Sequence, residues 1–299
     1  MTSPLIAVDW GSTNLRGSLI IDGRPSDTFE SSDGIRNRAG RDFDDLLTAA
    51  CGPWKKENPD ARIVMSGMIG SREGWHEVPY VTAPAGINDL AAGVVAVTSR
   101  TFGEILIVPG VRWDNPDTGT TDVMRGEETQ IAGLLSRLPD EGSAVCLPGT
   151  HSKWVHCRDG RIDSFRTFLT GEAYDLLTMG SLIAGTGGAA EPENPAFSRG
   201  LELSGMAGGI LHHLFLARTE MLTGRIAPVA LRSLVSGLII GHEVREARLF
   251  SPDGTVSLVG QSPAASATAK ALEWFGIAFE RVAGDPHLAG ILAIAGLQE

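Results

Sequence analysis

Cysteine is scarce: Cys51, Cys146 and Cys157 are the three in 299 residues. Their number is odd and no C-x-x-C spacing occurs, so no disulfide framework is expected and a reducing cytoplasm is the natural compartment. Cys146 lies in an apolar stretch and reads as a small core residue. Basic runs are missing as well. Lys and Arg number 25 against 36 Asp and Glu, a formal net charge of −11, so binding to nucleic acid or to an anionic membrane is not expected. The longest apolar run, Leu288 to Leu297, is too short to span a bilayer. The opening residues carry no basic region followed by an apolar stretch, so no signal peptide is expected. No G-x-x-x-x-G-K-[ST] loop and no G-x-S-x-G elbow occurs, which argues against a P-loop enzyme and against a hydrolase of the elbow type.

What is present suits a globular protein of one large domain or two moderate ones, with 42% hydrophobic residues, 20% charged and 37 glycines. The chain is organised around the stretch from Ile6 to Gly17. Leu5 to Val8 read as a buried strand, Asp9 arrives where that strand leaves the core, and Gly11, Ser12 and Thr13 form a tight polar turn. Leu15 to Ile21 read as the returning strand. Such a hairpin offers backbone N–H groups and hydroxyls around a concave tip. A carboxylate beside them suits a hydrated Mg²⁺ and the phosphates it bridges. An ordinary β-turn is the plain alternative, and a second hairpin of the same kind would favour the phosphate reading.

Periodicity predicts a strand from Ser26 to Glu30, then a helix carrying Phe43, Leu46, Leu47 and Ala50 with Asp42, Asp44 and Asp45 at its start. A strand from Arg62 to Met65 runs into a Gly-punctuated loop, Ser66 to Trp75. A helix from Ile87 to Val97 and a strand from Ile105 to Val108 follow. The order then repeats: a helix from Glu127 to Leu138, a strand from Ala144 to Leu147, the turn Pro148-Gly149-Thr150-His151-Ser152, and a strand from Lys153 to Cys157. Asp159-Gly160 turns that strand into another, Arg161 to Arg166. Gly171 to Arg248 read as mainly helical, interrupted by Gly185-Thr186-Gly187-Gly188 and by Glu191 to Pro195. A strand from Val256 to Val259 ends at Gly260-Gln261, Pro263 opens a helix reaching Trp274, Ile277 to Val282 form the last strand, and Asp285-Pro286 start a terminal helix. Two α/β lobes are therefore expected, 1–120 completed by the helix 285–299, and 121–284, with their hairpins facing across a cleft.

In the second hairpin Gly149, Thr150 and Ser152 can donate to phosphate, and Lys153 adds a compact charge. Lys153 as a solvated strand residue is the alternative. His151 reads as a donor or a packed turn residue rather than a metal ligand, since no Cys or carboxylate spacing completes a zinc site. Between the hairpins, Asp122, Glu127 and Glu128 could each take a proton from an attacking hydroxyl. Glu127, directly after a glycine at a loop–helix junction, is preferred, although helix-dipole stabilisation alone accounts for acids in a first turn. An acidic protein that handles anions must concentrate its few cations, so Arg16, Arg72, Arg112, Arg125 and Lys153, all near glycines or turns, are the ones to follow. The pair His212-His213 lies on a helix, where neighbours point apart, and reads as packing or exposure. Gly185-Thr186-Gly187-Gly188 lacks the preceding strand of a dinucleotide fingerprint.

Asp9-Trp10-Gly11-Ser12-Thr13-Asn14 resembles the first phosphate motif of the acetate and sugar kinase, heat-shock protein and actin superfamily, and Pro148-Gly149-Thr150-His151-Ser152-Lys153 resembles its second. Ser257-Leu258-Val259-Gly260-Gln261 is similar to the adenosine motif, although that motif more often shows paired glycines. More narrowly, V-D-W-G-S-T-N-L-R, S-G-M-I-G-S-R-E-G-W, M-R-G-E-E-T-Q, P-G-T-H-S-K-W and F-L-T-G-E resemble the 2-dehydro-3-deoxygalactonokinase family over nearly the whole chain.

That resemblance implies a two-lobed α/β fold of the actin-like ATPase type, built on ribonuclease H-like repeats with an interlobe cleft. It implies cytoplasmic, ATP-dependent phosphorylation of 2-dehydro-3-deoxy-D-galactonate at its terminal hydroxyl in galactonate or galactose breakdown. In that frame Asp9 holds Mg²⁺ through water. Gly11, Ser12, Thr13, Asn14, Gly149, Thr150, His151 and Ser152 take the phosphates, and Gly260 and Gln261 lie near adenine. Lys153 or Arg16 offsets charge on the γ-phosphate. Glu127 stands where the superfamily's base is usually an aspartate. The substrate is an anion, so a guanidinium is expected for its carboxylate, from Arg72 or Arg112, with Ser71 and Trp75 on the same loop as Arg72. An exopolyphosphatase-like hydrolase of the superfamily and a nucleotide-gated assembly protein are the competing functions, and a homodimer is left open.

Overall fold

A computed structural model describes residues 3–183, 186, 188–250 and 254–296. Gly185 and Gly187 of the expected mid-chain loop, and residues 297–299 of the expected terminal helix, lie outside the described residues. In chain order the elements are β1 (Leu5–Trp10), β2 (Leu15–Ile21), β3 (Arg24–Ser31), α1 (Phe43–Glu57), β4 (Arg62–Ser66), β5 (Val81–Thr82), α2 (Ile87–Ala92), β6 (Val95–Ser99), β7 (Gly103–Ile107), β8 (Val111–Asp114), β9 (Thr121–Met124) and α3 (Glu127–Ala132). There follow β10 (Ser143–Leu147), β11 (Ser152–Arg158), β12 (Arg161–Phe168), α4 (Thr170–Gly180), α5 (Pro195–Ser204), α6 (Gly209–Leu222), α7 (Leu231–Phe250), β13 (Val256–Leu258), α8 (Pro263–Trp274), β14 (Phe279–Arg281) and α9 (Pro286–Gly296). The chain divides into two compact units, one comprising residues up to Asp140 with Cys157–Ser164 and the segment from Ala283, the other Glu141–His156 and Phe165–Val282. Strand β9 and helix α3, with Glu127, therefore lie in the first unit.

The first unit is built on a six-stranded sheet in the order β3-β2-β1-β4-β7-β6. β1 runs antiparallel to β2 and parallel to β4, so Asp9 stands between Arg16 and Ser66. Ile6, Val8 and Trp10 share one face of β1 and enter a core with Leu15, Leu46, Leu47, Ile63 and Met65. Helix α1 starts where Asp42 accepts the Asp44 N–H at 2.9 Å, and it buries Leu46, Leu47, Cys51 and Trp54.

The expected helix from Ile87 to Val97 ends at Ala92, and Val95–Ser99 pairs antiparallel with β7 instead. The run Val94, Val95, Val97, Thr98 is β-branched and suits a strand. Strands β5, β8 and β9 make a three-stranded sheet that periodicity did not reveal. The helix expected from Glu127 to Leu138 stops at Ala132, followed by a 3₁₀ turn at Leu135–Arg137. Gly133 lies so close to α9 that a Cβ on it would meet the Pro286 carbonyl oxygen at 2.1 Å, and one on Gly290 would meet the Thr129 oxygen at 1.8 Å. Helix α9 is thus seated directly on α3.

The second unit repeats the strand order as β12-β11-β10-β13-β14, with β13 parallel to both neighbours; the outer ends of β11 and β12 count with the first unit. Trp154, Phe197, Leu201, Val244 and Leu258 fill its core. The last strand, expected over Ile277 to Val282, is confined to Phe279–Arg281. Helix α7 is buried over most of its length. His213 is buried on α6 with Nδ1 3.0 Å from His242 Nε2, a packed pair. The three cysteines are buried, and burial pushes the Cys51 and Cys157 thiols up to about 12 and that of Cys146 up as well.

Candidate functional site

The tip of the β1–β2 hairpin is closed by the Gly11 N–H donating to the Asn14 carbonyl at 2.9 Å. The carbonyls of Gly11, Ser12 and Thr13 accept from Ile35, Arg36 and Gly34 at 3.1, 3.0 and 3.2 Å. The turn's acceptors are occupied, which suits a tip that meets an anion with donors. Asp9, one strand residue earlier, lines a cavity of about 420 Å³ with Arg16, Glu30, Gln130 and His287. Its carboxylate makes no hydrogen bond or ion pair to a described residue. His287 Nε2 lies 2.7 Å from the Ser66 hydroxyl, fixing the strand end beside Asp9.

Gly67 follows β4 with φ +91°, and a Cβ there would stand 2.8 Å from the Trp10 carbonyl oxygen and 3.3 Å from Asp9 Oδ1. Gly126 has φ +109°, and its Cβ would lie 3.2 Å from Gly67 Cα. Asp9, Gly67 and Gly126 therefore form a contiguous row, and Glu127 opens α3 at its end. Partly exposed Glu127 accepts the Arg125 N–H at 3.1 Å. Glu128 is fully buried, accepting the Gly126 N–H at 2.6 Å and the Thr129 hydroxyl at 2.9 Å. Burial, with a smaller contribution from the neighbouring Glu127 charge, pushes Glu128 up to about 8. The two neighbouring carboxyls therefore differ: Glu128 is shut away from solvent and holds its proton more readily, while Glu127 is partly exposed. Asp122 sits partly exposed in β9.

Arg125 is a feature that spacing did not single out beyond its charge. Its guanidinium lies 4.3 Å from the Tyr80 ring centroid and Nη2 donates to the Val78 carbonyl at 2.7 Å, while buried Nε and Nη1 have no hydrogen-bond partner. The Ser71 hydroxyl, on the neighbouring loop, is likewise buried without one. Arg72 is exposed. Arg112 is turned onto Asp114 at 2.6 Å on an exposed strand, and Arg16 pairs with Glu30 at 2.9 Å. Trp75 stacks on Phe43 with ring centroids 6.3 Å apart and packs against the core. Among the described residues no group of three or more His, Cys, Asp or Glu side chains could hold a metal. A divalent ion at Asp9 would keep waters and rely on phosphate oxygens, the manner in which Mg²⁺ binds beside one carboxylate. Asp9, which has no hydrogen-bond or ion-pair partner among the described residues and lines a cavity, fits that role.

In the second unit a cavity of about 540 Å³ is lined by Gly149, Thr150 and Ser152 and by residues of α4, α7 and α8, Ile239 and Ile240 among them. Its size and apolar walls suit a nucleoside, and the turn adds donors suited to phosphate. The Gly149 N–H meets the Ser152 hydroxyl oxygen at 3.4 Å. His151 Nε2 lies 2.5 Å from the Glu172 carboxylate, and the buried Lys153 donates from Nζ to the His151 carbonyl at 3.1 Å. Gly260, with φ +92°, and Gln261 are exposed and lie outside the lining. The next residue, Ser262, lines the cavity and caps α8 by accepting the Ala265 N–H at 3.2 Å. Tyr174, Thr178, Arg232 and Thr268 also line it. On helices, their spacing gives no hint of a ligand.

The family model described as 2-keto-3-deoxy-galactonokinase matches residues 9–294. The chain belongs to the 2-keto-3-deoxy-galactonokinase family. It is a carbohydrate kinase. A 2-dehydro-3-deoxygalactonokinase of Escherichia coli (strain K12) is 34% identical over 297 residues, covering 99% of this chain and 98% of the relative. A crystal structure provisionally named a 2-dehydro-3-deoxygalactonokinase from Sinorhizobium meliloti superposes with a TM-score of 0.87 at 29% identity, over 98% of this chain and 97% of that one. The 2-hydroxyisocaproyl-CoA dehydratase activator of Clostridium difficile, solved with ADPNP, has a TM-score of 0.50 at 12% identity over 99% and 95% of the two chains. The architecture of this family member is the actin-like ATPase fold. Among the described residues no helix is long and apolar enough to cross a membrane.

Proposed function

We propose that the chain transfers the γ-phosphoryl group of ATP to the terminal hydroxyl of 2-dehydro-3-deoxy-D-galactonate, giving the 6-phosphate, in the cytoplasm. The observation that supports the chemistry is the contact row Asp9–Gly67–Gly126, after which Glu127 opens α3. Glu127 orients the acceptor hydroxyl and takes its proton as the phosphoryl group arrives. Asp9 holds the waters of a Mg²⁺ ion, and that ion, when bound, neutralises charge on the phosphates. The 11–14 turn in the first unit and the 149–152 turn in the second supply N–H and hydroxyl donors to phosphate oxygens, with Lys153 or Arg16 adding positive charge. Adenosine occupies the cavity of the second unit. On this reading the two units are the two lobes of the kinase. Arg72, exposed on the loop that follows Gly67, is the carboxylate ligand we favour over Arg112, whose guanidinium is already engaged by Asp114.

A coupled assay of ADP release tests the proposal across 2-keto-3-deoxy sugar acids, neutral hexoses and no acceptor. The expected result is the highest kcat/KM on 2-dehydro-3-deoxy-D-galactonate and little ADP without an acceptor. Equal turnover without any acceptor would point to a phosphohydrolase and overturn the assignment.

A further inference from the structure

Glu243 is a carboxyl 3% exposed, on α7, whose Ser236, Ile239 and Ile240 line the second unit's cavity. Among the described residues no cation offsets its charge. Its Oε1 accepts from Trp154 Nε1 at 2.8 Å, the hydroxyls of Ser152 and Thr170 face the same carboxyl, and Oε2 has no hydrogen-bond partner. A buried carboxyl without a cation is costly, and an apolar side chain of similar size would pack there at less expense. What the carboxyl gains is a hydrogen bond to strand β11 through Trp154, two residues beyond the end of the phosphate turn, with Ser152 and Thr170 close by.

Those segments are already close around the turn. The Ser152 oxygen receives the Gly149 N–H, the Glu172 N–H donates to the Thr150 carbonyl at 3.0 Å, and a Cβ on Gly171 would strike the Gly149 oxygen at 2.6 Å. Burial raises the Glu243 pKa, so the carboxyl holds its proton more readily and its neutral amide analogue is a fair mimic.

We propose that Glu243 is a positioning residue for the phosphates of ATP: by anchoring Trp154 on β11 directly after the turn, it fixes the 149–152 turn in the arrangement that meets the phosphate oxygens. This rests on the nucleotide reading of the cavity given above. It predicts an effect greater on ligands that carry phosphate than on adenosine, because in that reading the turn meets the phosphates.

The test compares Glu243→Gln, which keeps an acceptor for Trp154, with Glu243→Leu, which removes it. ATP and adenosine binding are measured by calorimetry on the whole protein, with steady-state KM values for ATP and for the sugar acid. Glu243→Leu is expected to weaken ATP binding about tenfold or more, the loss typical of an unmade buried hydrogen bond, while adenosine affinity and the sugar-acid KM stay within about twofold. Glu243→Gln should restore ATP binding to near the wild-type value. Unchanged ATP affinity in folded Glu243→Leu, or an equal loss for adenosine, overturns the positioning role. Should Glu243→Leu not fold, Trp154→Phe takes its place, since it removes the hydrogen bond to Glu243 from a residue outside the cavity lining: the same selective loss supports the role, and unchanged ATP affinity refutes it. Wild-type protein that binds neither ATP nor adenosine would instead refute the nucleotide reading itself.

Discussion

Substituting alanine for Gly67 probes the geometry on which the candidate site stands. Gly67 has φ +91° and ψ −156°, a conformation that side chains other than glycine rarely adopt, and forcing alanine into it costs roughly 1–3 kcal/mol. The added Cβ would also approach the Trp10 carbonyl oxygen to 2.8 Å and Asp9 Oδ1 to 3.3 Å. The Trp10 oxygen belongs to a strand paired on both sides, so it cannot recede freely, and relieving such a contact costs about 1–3 kcal/mol more. A total of about 2–6 kcal/mol should lower Tm by roughly 5–20 °C for a unit of this size. Moving Asp9 by a few tenths of an ångström should reduce kcat about tenfold, given that a 1 Å misplacement can cost about 100-fold. Gly103→Ala is the control: φ is +74° but nothing lies within 4 Å of its Cβ, so it should show strain of about 1 kcal/mol and normal kcat. Thermal unfolding by circular dichroism and steady-state kinetics read both effects. A Gly67→Ala protein with wild-type Tm and kcat would refute the packing of Asp9 against Gly67.

Asp9→Asn should lower kcat by about 100-fold or more, as removal of one strong electrostatic contact does, with Tm unchanged; near-normal turnover would exclude Asp9 from metal binding. Glu128, raised to about 8 when folded, keeps a proton that the unfolded chain releases near its ordinary value of 4.5. Stability must therefore fall as pH rises from about 4.5 to 8, by on the order of a few kcal/mol. Glu128→Gln should flatten that slope in urea titrations, and parallel wild-type and mutant profiles would contradict the burial. Arg72→Ala should raise the KM for the sugar acid more than that for ATP, whereas Arg112→Ala should change both by less than about threefold, its exposed pair with Asp114 being worth about 1 kcal/mol at most; an unchanged sugar-acid KM in Arg72→Ala removes that residue from the site.

Local signals explain what could be read before the fold was seen. Asp9 at the end of an apolar strand, followed by Gly-Ser-Thr and a second strand, is a short-range pattern, and its echo at 148–153 revealed the repeat. The preference for Glu127 over Glu128 rests on a local feature too, the glycine before it; the burial of Glu128 has no counterpart in the local sequence. Strands β5, β8 and β9 are two to four residues long, too short for alternation to register. The stop of α3 at Ala132 depends on Gly290, far away in sequence, pressing on Thr129. The cavity walls were hidden for a different reason: Tyr174, Thr178 and Ile239 sit at helical spacings indistinguishable from core positions. The unpartnered nitrogens of Arg125 and the solitary carboxyl of Glu243 are products of tertiary packing and leave no pattern in the chain.

The seating of α9 on α3 has a consequence for how the protein is made. Residues 286–296 leave the ribosome after every strand and helix of the second unit, yet they complete the layer against which the helix bearing Glu127 rests. The layer under the start of α3 is therefore completed by a segment far away in sequence, and its packing is finished only once α9 docks.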